Sequence, residues 1–334
     1  MLEFSMIADE RRNRLEQWLA TPLNGARFTL APASEDASFR RYFRATLDDG
    51  RTFIVMDAPP DKEDSRPFVR IARMLTDAGV HAPVVHAQDL GAGFLLLSDL
   101  GTRTYLAELT REMTVATAGT LMSDATDALI RWQLASKPGE LPPYDDALLR
   151  REMNLFPEWY VSRHRRKTLS APQAQTLETI FTVLSKSALA QPAVYVHRDY
   201  MPRNLMVSEP NPGVLDFQDA VFGPITYDVV SLMRDAFISW EEEQVLDWTV
   251  RYWERAKRAK LPVESDFGEF WRAFEWMGLQ RHLKVLGIFA RINYRDGKPK
   301  YLADTPRFVA YARPVAQRYR ELAPLNQLLD EIEA

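Results

Sequence analysis

Apolar positions fall in two rhythms along the chain. Between about Asn24 and Leu97, short runs rich in β-branched and aromatic residues (ARFTLAPA, FRRYFRATL and RTFIVMDA) read as strands. Asp48-Asp49-Gly50 between the last two suits a hairpin turn, because Asp-Gly tolerates positive φ. The next run, RPFVRIARMLTDAG, changes period: Phe68, Ile71, Ala72 and Leu75 share one helical face, and Gly79 is the stop. APVVHAQDL and GFLLLSDL return to strand texture, and the first twenty residues read as an amphipathic helix. After Asp99 the period is mostly helical: Leu106 to Gln133, Ala171 to Leu189, Glu241 to Arg258 and Phe267 to Asn293 all fit helices. One strand-loop-strand block, VYVHRDYMPRNLMVSEPNPGVLDFQDA, interrupts them. The pattern predicts an α+β chain in two lobes. Residues 1–98 form a small lobe of one helix, an antiparallel sheet and a second helix; residues 99–334 form a large helical lobe with an embedded hairpin; the connector runs near Ser98 to Gly101.

Composition narrows the chemistry. With 334 residues, 46% hydrophobic and 26% charged, the chain can fill about two ordinary domains and is not broadly disordered. It has no cysteine, which excludes disulfides, thiolate zinc sites and cysteine nucleophiles and fits a reducing compartment. A net charge of -4 gives no reason to expect nucleic acid as a partner. The N-terminus lacks a basic start before an apolar run, and no stretch approaches the roughly 18 apolar residues of a membrane helix. A cytoplasmic protein with no membrane partner is therefore the expectation, and a monomer the default.

The interrupting block carries the chemistry. His197-Arg198-Asp199-Tyr200-Met201-Pro202-Arg203-Asn204 leads into a strand, Leu205 to Ser208; a turn through Asn211-Pro212-Gly213 follows; a second strand, Val214-Leu215, ends at Asp216-Phe217. Such a hairpin brings Asn204 towards Asp216, with Asp199 on the loop feeding it. That suits phosphoryl transfer, whose loose transition state needs mainly positioning and charge neutralisation. An amide and a carboxylate suit magnesium, which keeps waters and phosphate oxygens as its other ligands, and a separate carboxylate must face the attacking hydroxyl. His197 reads as a brace for the loop. Asp219 is either a supporting acid or a turn residue, Asp228 reads as capping or anchoring a helix, and Arg163 to Lys167 (RHRRK) reads as a solvated face.

The block resembles the catalytic loop and metal-binding Asp of the protein-kinase-like superfamily, H-x-D-x-x-x-x-N followed by an apolar-apolar-Asp. DFQ in place of DFG, the short gap from Asn204 to Asp216, and the absence of an APE motif or G-x-G-x-x-G loop point away from protein kinases. They point to the aminoglycoside phosphotransferase branch, whose members phosphorylate small molecules. The resemblance implies a bilobal kinase-like fold, ATP and Mg2+ as cofactors, Asp199 as base or hydroxyl-orienting group, and Asn204 and Asp216 as metal ligands. It implies adenine binding by backbone groups around Ser98, Asp99 and Leu100. It also makes ASEDASFR, with Ser34 and Ser38, the phosphate-facing loop. One departure stands out. The third strand should carry a lysine for the α/β-phosphates, but Met56 stands there, and the following helix lacks the partner glutamate. Either the chain is an ATP-binding pseudokinase, or an arginine from the second strand (Arg40, Arg41 or Arg44) has taken the role; Arg44 is kept among the nucleotide contacts.

The acceptor is read from charge and resemblance together. Between Trp271 and Arg320 there are eleven Lys/Arg and three Asp/Glu, a poor lining for a polycationic antibiotic and a better one for a neutral or anionic acceptor. Trp159 and Tyr160 offer either a face for a sugar ring or core packing. SFRRYFR, MDAPP, RPFVRIARML, GFLLLSDLG, LFPEWY, HRDYMPRNLM, GVLDFQDAVFGPITYDVVSL and QRHLKVLGIFARI together resemble one subgroup of the family. Its members phosphorylate the anomeric C1 hydroxyl of N-acetylmuramate and N-acetylglucosamine during recycling of cell-wall (peptidoglycan) sugars. The resemblance implies that activity here, a sugar as the small-molecule partner, and Glu158, Trp159, Arg203 and Arg281 as candidate sugar contacts beside Asp199. A kinase for another alcohol, such as an amino alcohol or an aminoglycoside, stays open, as does the pseudokinase.

Overall fold

A computed structural model describes residues 2–35, 39–111 and 114–334. The chain separates into two compact units: residues 1–103 with 206–219, and residues 104–205 with 220–334.

In the first unit, α1 (Leu2–Leu19) precedes β1 (Phe28–Glu35), β2 (Arg41–Leu47) and β3 (Thr52–Asp57); then come α2 (Arg66–Asp77), β4 (Val85–Asp89) and β5 (Phe94–Ser98). The strands form one antiparallel sheet in the order β1-β2-β3-β5-β4. The β2–β3 hairpin turns at Gly50, whose φ of +85° only glycine adopts without strain. Strand alternation sorts the two faces. Phe43, Ala45, Leu47, Val55, Phe94 and Leu96 pack with Leu15 and Leu19 of α1 and with Leu23. Asp57 is fully buried and accepts from Arg11 of α1 and Arg41 of β2, while Arg11 also donates to the Ala92 carbonyl. The α2 helix buries the predicted face, Phe68, Ile71, Ala72 and Leu75.

Residues 206–219 join this unit through specific contacts. Val214 N donates to the His81 carbonyl at 2.7 Å, His81 Nδ1 bonds the Pro210 carbonyl at 2.6 Å, and Phe217 packs on Phe68 with ring centroids 4.8 Å apart. A Cβ at Gly213 would meet the side-chain ends of Leu100 and Ser208, which would have to move to admit it.

The second unit holds α3 (Tyr105–Arg111), α4 (Val115–Leu134), α5 (Asp146–Met153), a π-helical segment Phe156–His164 and α6 (Ala171–Ala190). Then comes β6 (Ala193–Val196), after which the chain runs through β7 (Leu205–Met206) and β8 (Gly213–Val214), the hairpin whose residues 206–219 belong to the first unit. They are followed by β9 (Val221–Pro224), α7 (Tyr227–Met233), α8 (Glu242–Arg258), α9 (Phe267–Asp296), α10 (Thr305–Arg318) and α11 (Ala323–Glu333). The single helix expected over Leu106 to Gln133 is two, α3 and α4. β6 pairs antiparallel with β9, an element the periodicity did not predict. Ser170 and Gln173 form a capping box for α6, and Asp266 caps α9, which ends at Gly297 in the left-handed region (φ +69°). A Cβ at Gly287 of α9 would overlap the backbone of Leu155, so glycine lets the helix lie against the start of the π-helical segment. The basic run at 163–167 is not simply a solvated face: Arg165 and Lys167 donate to the last carbonyls of α11, at Ile332, Glu333 and Glu331. That complements the negative end of the helix dipole.

Candidate active site

In the second unit, β6 delivers the chain to His197, and the loop that follows is held from below. Asp228 on α7 accepts the N–H of His197 (2.6 Å) and of Arg198 (3.0 Å). The sequence placed Asp228 as a helix cap or anchor; its carboxylate instead grips the loop that carries Asp199. Arg198 takes the left-handed conformation (φ +76°), a strained position for a non-glycine residue that these two bonds enforce. Asp199 N donates to His197 Nδ1 at 3.3 Å, and buried His197 braces the loop as expected. Within the loop, Asn204 Nδ2 donates to the Asp199 carbonyl at 2.9 Å, and Tyr200 Oη anchors on the Ala125 carbonyl at 2.8 Å. Asp199 is half-buried and Asn204 buried. With its amide N–H2 turned to Asp199, Asn204 has its oxygen as the atom to offer a cation. Burial pushes Asp228 up to about 7; the neighbouring charge of Asp199 adds to the rise, while the two backbone N–H groups and Arg281 oppose it.

Beneath the same loop lies a buried ionic cluster. Arg198 and Lys284 both pair with Glu152 of α5, Lys284 at 2.9 Å. Lys284 Nζ also donates to Tyr227 Oη at 2.8 Å, and Tyr144 Oη donates to Glu152. Burial would raise Glu152, but Lys284, Arg198 and Tyr144 outweigh it and hold the carboxyl down at about 2. Burial pulls Lys284 down; the charge of Glu152, with Tyr227 and Asp199, more than restores it, so its ammonium is kept. The sequence reading missed Glu152, Tyr144 and Lys284. The available signal was Lys284 within an apolar helical run, where an unpaired charge would be costly.

The other candidates of this unit are dispersed. Arg203 is exposed with its guanidinium 5.2 Å from the Phe237 ring centre. Arg281 is 2% exposed, donates to the Arg234 carbonyl at 3.3 Å, and lies within electrostatic reach of Asp228 and Asp235. Glu158 is exposed and Trp159 half-buried on the π-helical segment, where the charge of Glu158 reaches Arg291 of α9. Tyr160 is buried, its hydroxyl on Glu333 at 2.8 Å, which makes it a packing residue. The basic excess between Trp271 and Arg320 is largely neutralised: Arg272, Lys284, Arg295, Arg307, Arg313 and Arg318 each pair with a carboxylate. The charge count alone therefore overstates the net positive charge of this stretch.

In the first unit, Asp216 follows β8 in the left-handed region (φ +63°), and Gln218 Nε2 donates to it at 2.9 Å. Ser98 ends β5, with its Oγ accepting from Val84 N at 2.8 Å, and Leu100 is buried. Asp99 takes Arg44 in a two-point pair (2.6 and 3.1 Å) and accepts from Gly101 N. Burial works to raise Asp99, but these bonds overcome it and its carboxyl lies below the usual range. Ser34 pairs with Tyr42 across β1 and β2, while Ser38 lies outside the described residues with Asp36 and Ala37. Met56 is fully buried, opposite Tyr42 of β2.

The chain as a whole resembles known proteins. The profile described as the phosphotransferase enzyme family matches residues 29–262. The N-acetylmuramate/N-acetylglucosamine kinase of Pseudomonas putida is 52% identical over 336 residues, covering 98% of each chain. The Pseudomonas aeruginosa protein of the same name is 55% identical over 300 residues, covering 90% of this chain and 87% of its own. Among solved structures, a choline/ethanolamine kinase family protein from Mesorhizobium loti superposes with a TM-score of 0.62 at 17% identity, covering 96% of this chain and 99% of that one. ADP-bound aminoglycoside phosphotransferase APH(2'')-Ib does so with 0.58 at 14% identity, covering 89% and 97%. These two establish a shared protein-kinase-like fold. The chain, as the HRDYMPRN block implied, belongs to the phosphotransferase enzyme family.

Proposed function

We propose that this protein is an ATP- and magnesium-dependent sugar kinase that phosphorylates the anomeric C1 hydroxyl of N-acetylmuramate and N-acetylglucosamine. The observation that carries it is the braced loop from His197 to Asn204, in a chain 52% identical over its length to a kinase named for these two sugars. Asp199 is the proposed partner of the acceptor hydroxyl: fixed by the Asp228 anchor and the bonds within the loop, its carboxylate orients the hydroxyl and takes its proton. The ring oxygen makes an anomeric hydroxyl more acidic than an ordinary alcohol, so a carboxylate is a sufficient base. Asn204 and Asp216 are the proposed magnesium ligands; two hard oxygen donors are what magnesium needs from a protein when phosphates and waters complete its shell. Bound magnesium would neutralise phosphate charge as the bond to the leaving oxygen lengthens. The sugar 1-phosphate product fits a cytoplasmic place in peptidoglycan recycling. No described helix is long and apolar enough to cross a membrane.

Buried Met56 favours a second reading, an ATP-binding protein without turnover. One experiment separates the two. The enzyme with ATP, magnesium and N-acetylglucosamine should release ADP steadily, and phosphorus NMR should place the product phosphate on C1. Asp199→Asn should lower kcat by about 10²- to 10⁴-fold without unfolding. No ADP release from the wild type refutes the sugar-kinase reading; phosphate elsewhere on the ring refutes the C1 assignment.

A further inference from the structure

The third strand offers no cation to the nucleotide, so one has to enter from elsewhere in the first unit. Three arginines on or beside β2 are candidates, and strand alternation separates them. Arg41 lies on the α1 face: it pairs with Asp57, which Arg11 of α1 also binds, and its guanidinium sits 5.7 Å from the Phe43 ring centre. Arg44 shares the face of Met56 but is held by Asp99 and by the Gly101 carbonyl, which takes one of its N–H groups at 2.9 Å. Arg40 stands immediately before β2. Its Nη2 lies 3.2 Å from Glu63 Oε2 in the β3–α2 connection, with side chains only 11% and 19% exposed. Tyr42, the cross-strand partner of Met56, hydrogen-bonds Arg40, and Asp216 lies within its electrostatic reach. Phe217, next to Asp216, packs on Phe68 of α2, five residues beyond Glu63. Arg40, Glu63 and Asp216 thus meet at one corner of a single unit.

We propose that Arg40, held by Glu63, is the cation that meets the nucleotide phosphates in place of the absent strand lysine. The lysine–glutamate pair expected of a kinase is then rebuilt as an arginine–glutamate pair, both members supplied from outside the positions where the family pattern sets them. Guanidinium chemistry makes the exchange workable. Its five donors lie in a plane, so one edge can stay on Glu63 while the other faces phosphate oxygens, and its charge does not titrate. Fixing the fork on Glu63 beforehand removes much of the side-chain ordering that phosphate binding would otherwise require.

The role rests on the nucleotide half of the kinase reading, and nucleotide binding tests it without any sugar. Calorimetric titration of the full-length protein with ADP and with adenosine, magnesium present, is the measurement. Arg40→Ala should weaken ADP by about tenfold or more, as loss of a charge-assisted pair implies, and leave adenosine within about twofold. Arg40→Lys should recover part of the ADP affinity. Glu63→Gln, a positioning change, should raise the ATP KM while leaving the sugar KM unchanged. Exposed Arg66, paired with its neighbour Asp64, is the charge control, and Arg66→Ala should bind ADP as the wild type does. Undiminished ADP affinity in Arg40→Ala, or an equal loss for ADP and adenosine, overturns the proposal. A wild type that binds ADP but phosphorylates no sugar would sink the acceptor reading and leave the Arg40 result standing.

Discussion

Asp199 on the loop and Asp228 on α7 are two neighbouring carboxylates with opposite surroundings. Asp199 is half-buried at the loop's crest; Asp228 is fully buried beneath it, with both oxygens on backbone N–H groups. Residue by residue, this division explains why an acid outside the H-x-D-x-x-x-x-N motif matters. Replacing Asp228 with asparagine keeps the shape but leaves one N–H facing an amide N–H2 that cannot accept. The strained φ of Arg198 then loses half of its restraint, and the Asp199 carboxylate shifts. Small displacements of a positioned group cost up to about a hundredfold in rate. Asp228→Asn should therefore lower kcat by about ten- to a hundredfold with the ATP KM nearly unchanged, measured by steady-state ADP release. Wild-type kcat in that variant would show that the anchor does not position the loop.

At the scale of elements, what was legible in the sequence was local. The β2–β3 hairpin, the α2 face and the order HRDYMPRN-strand-turn-strand-DF each follow from residues close in the chain. What was missed had no local signature. α10 carries Pro314 inside it, which sequence rules read as a stop, yet burial of Phe308, Val309, Ala312, Val315 and Ala316 sustains it. Glu152 sits on an eight-residue helix and meets Arg198 across 46 residues, a pairing no periodicity announces. The clamp on Asp57 is of the same kind, one buried carboxylate joining α1 to the sheet through Arg11 and Arg41. Asp57→Ala leaves two guanidinium groups without their shared acceptor. Arg11 and Arg41 keep some solvent, and hydrogen bonds to a charged group are worth about 1.5–3 kcal/mol, so the denaturant midpoint should fall clearly. Because the clamp lies on the face of α1, away from Arg40 and Met56, the ATP KM of the surviving folded protein should not move. A change in KM with unchanged stability would reverse this division of the two faces.

Over the whole molecule, these buried charges make stability depend on pH in a way that can be resolved group by group. Asp228 is raised from 3.8 to about 7 in the fold. Its contribution is complete below its ordinary value and is lost as pH climbs through about 7, because the folded state then has to hold a buried anion that the unfolded chain solvates freely. Glu152, lowered from 4.5 to about 2, acts at the acid end: its contribution is present above 4.5 and disappears as pH falls towards 2. Buried His282 runs against Asp228. Desolvation, with Arg234 and Arg281 nearby, pushes it well below 6.5, so its contribution is present above 6.5 and lost as pH falls. The wild-type curve between these limits is therefore a sum of opposing slopes and cannot by itself reveal either group. The difference between wild type and Asp228→Asn can, since His282 and Glu152 are common to both proteins. That difference, taken from urea midpoints at a series of pH values, should favour the wild type most near pH 4 and shrink steadily to about pH 7. Beyond that it should level off, because Asp228 is then ionised in both states. A difference that grows with pH over this range would mean that the backbone N–H groups and Arg281 outweigh desolvation, and that Asp228 is already an anion in the folded protein at acid pH.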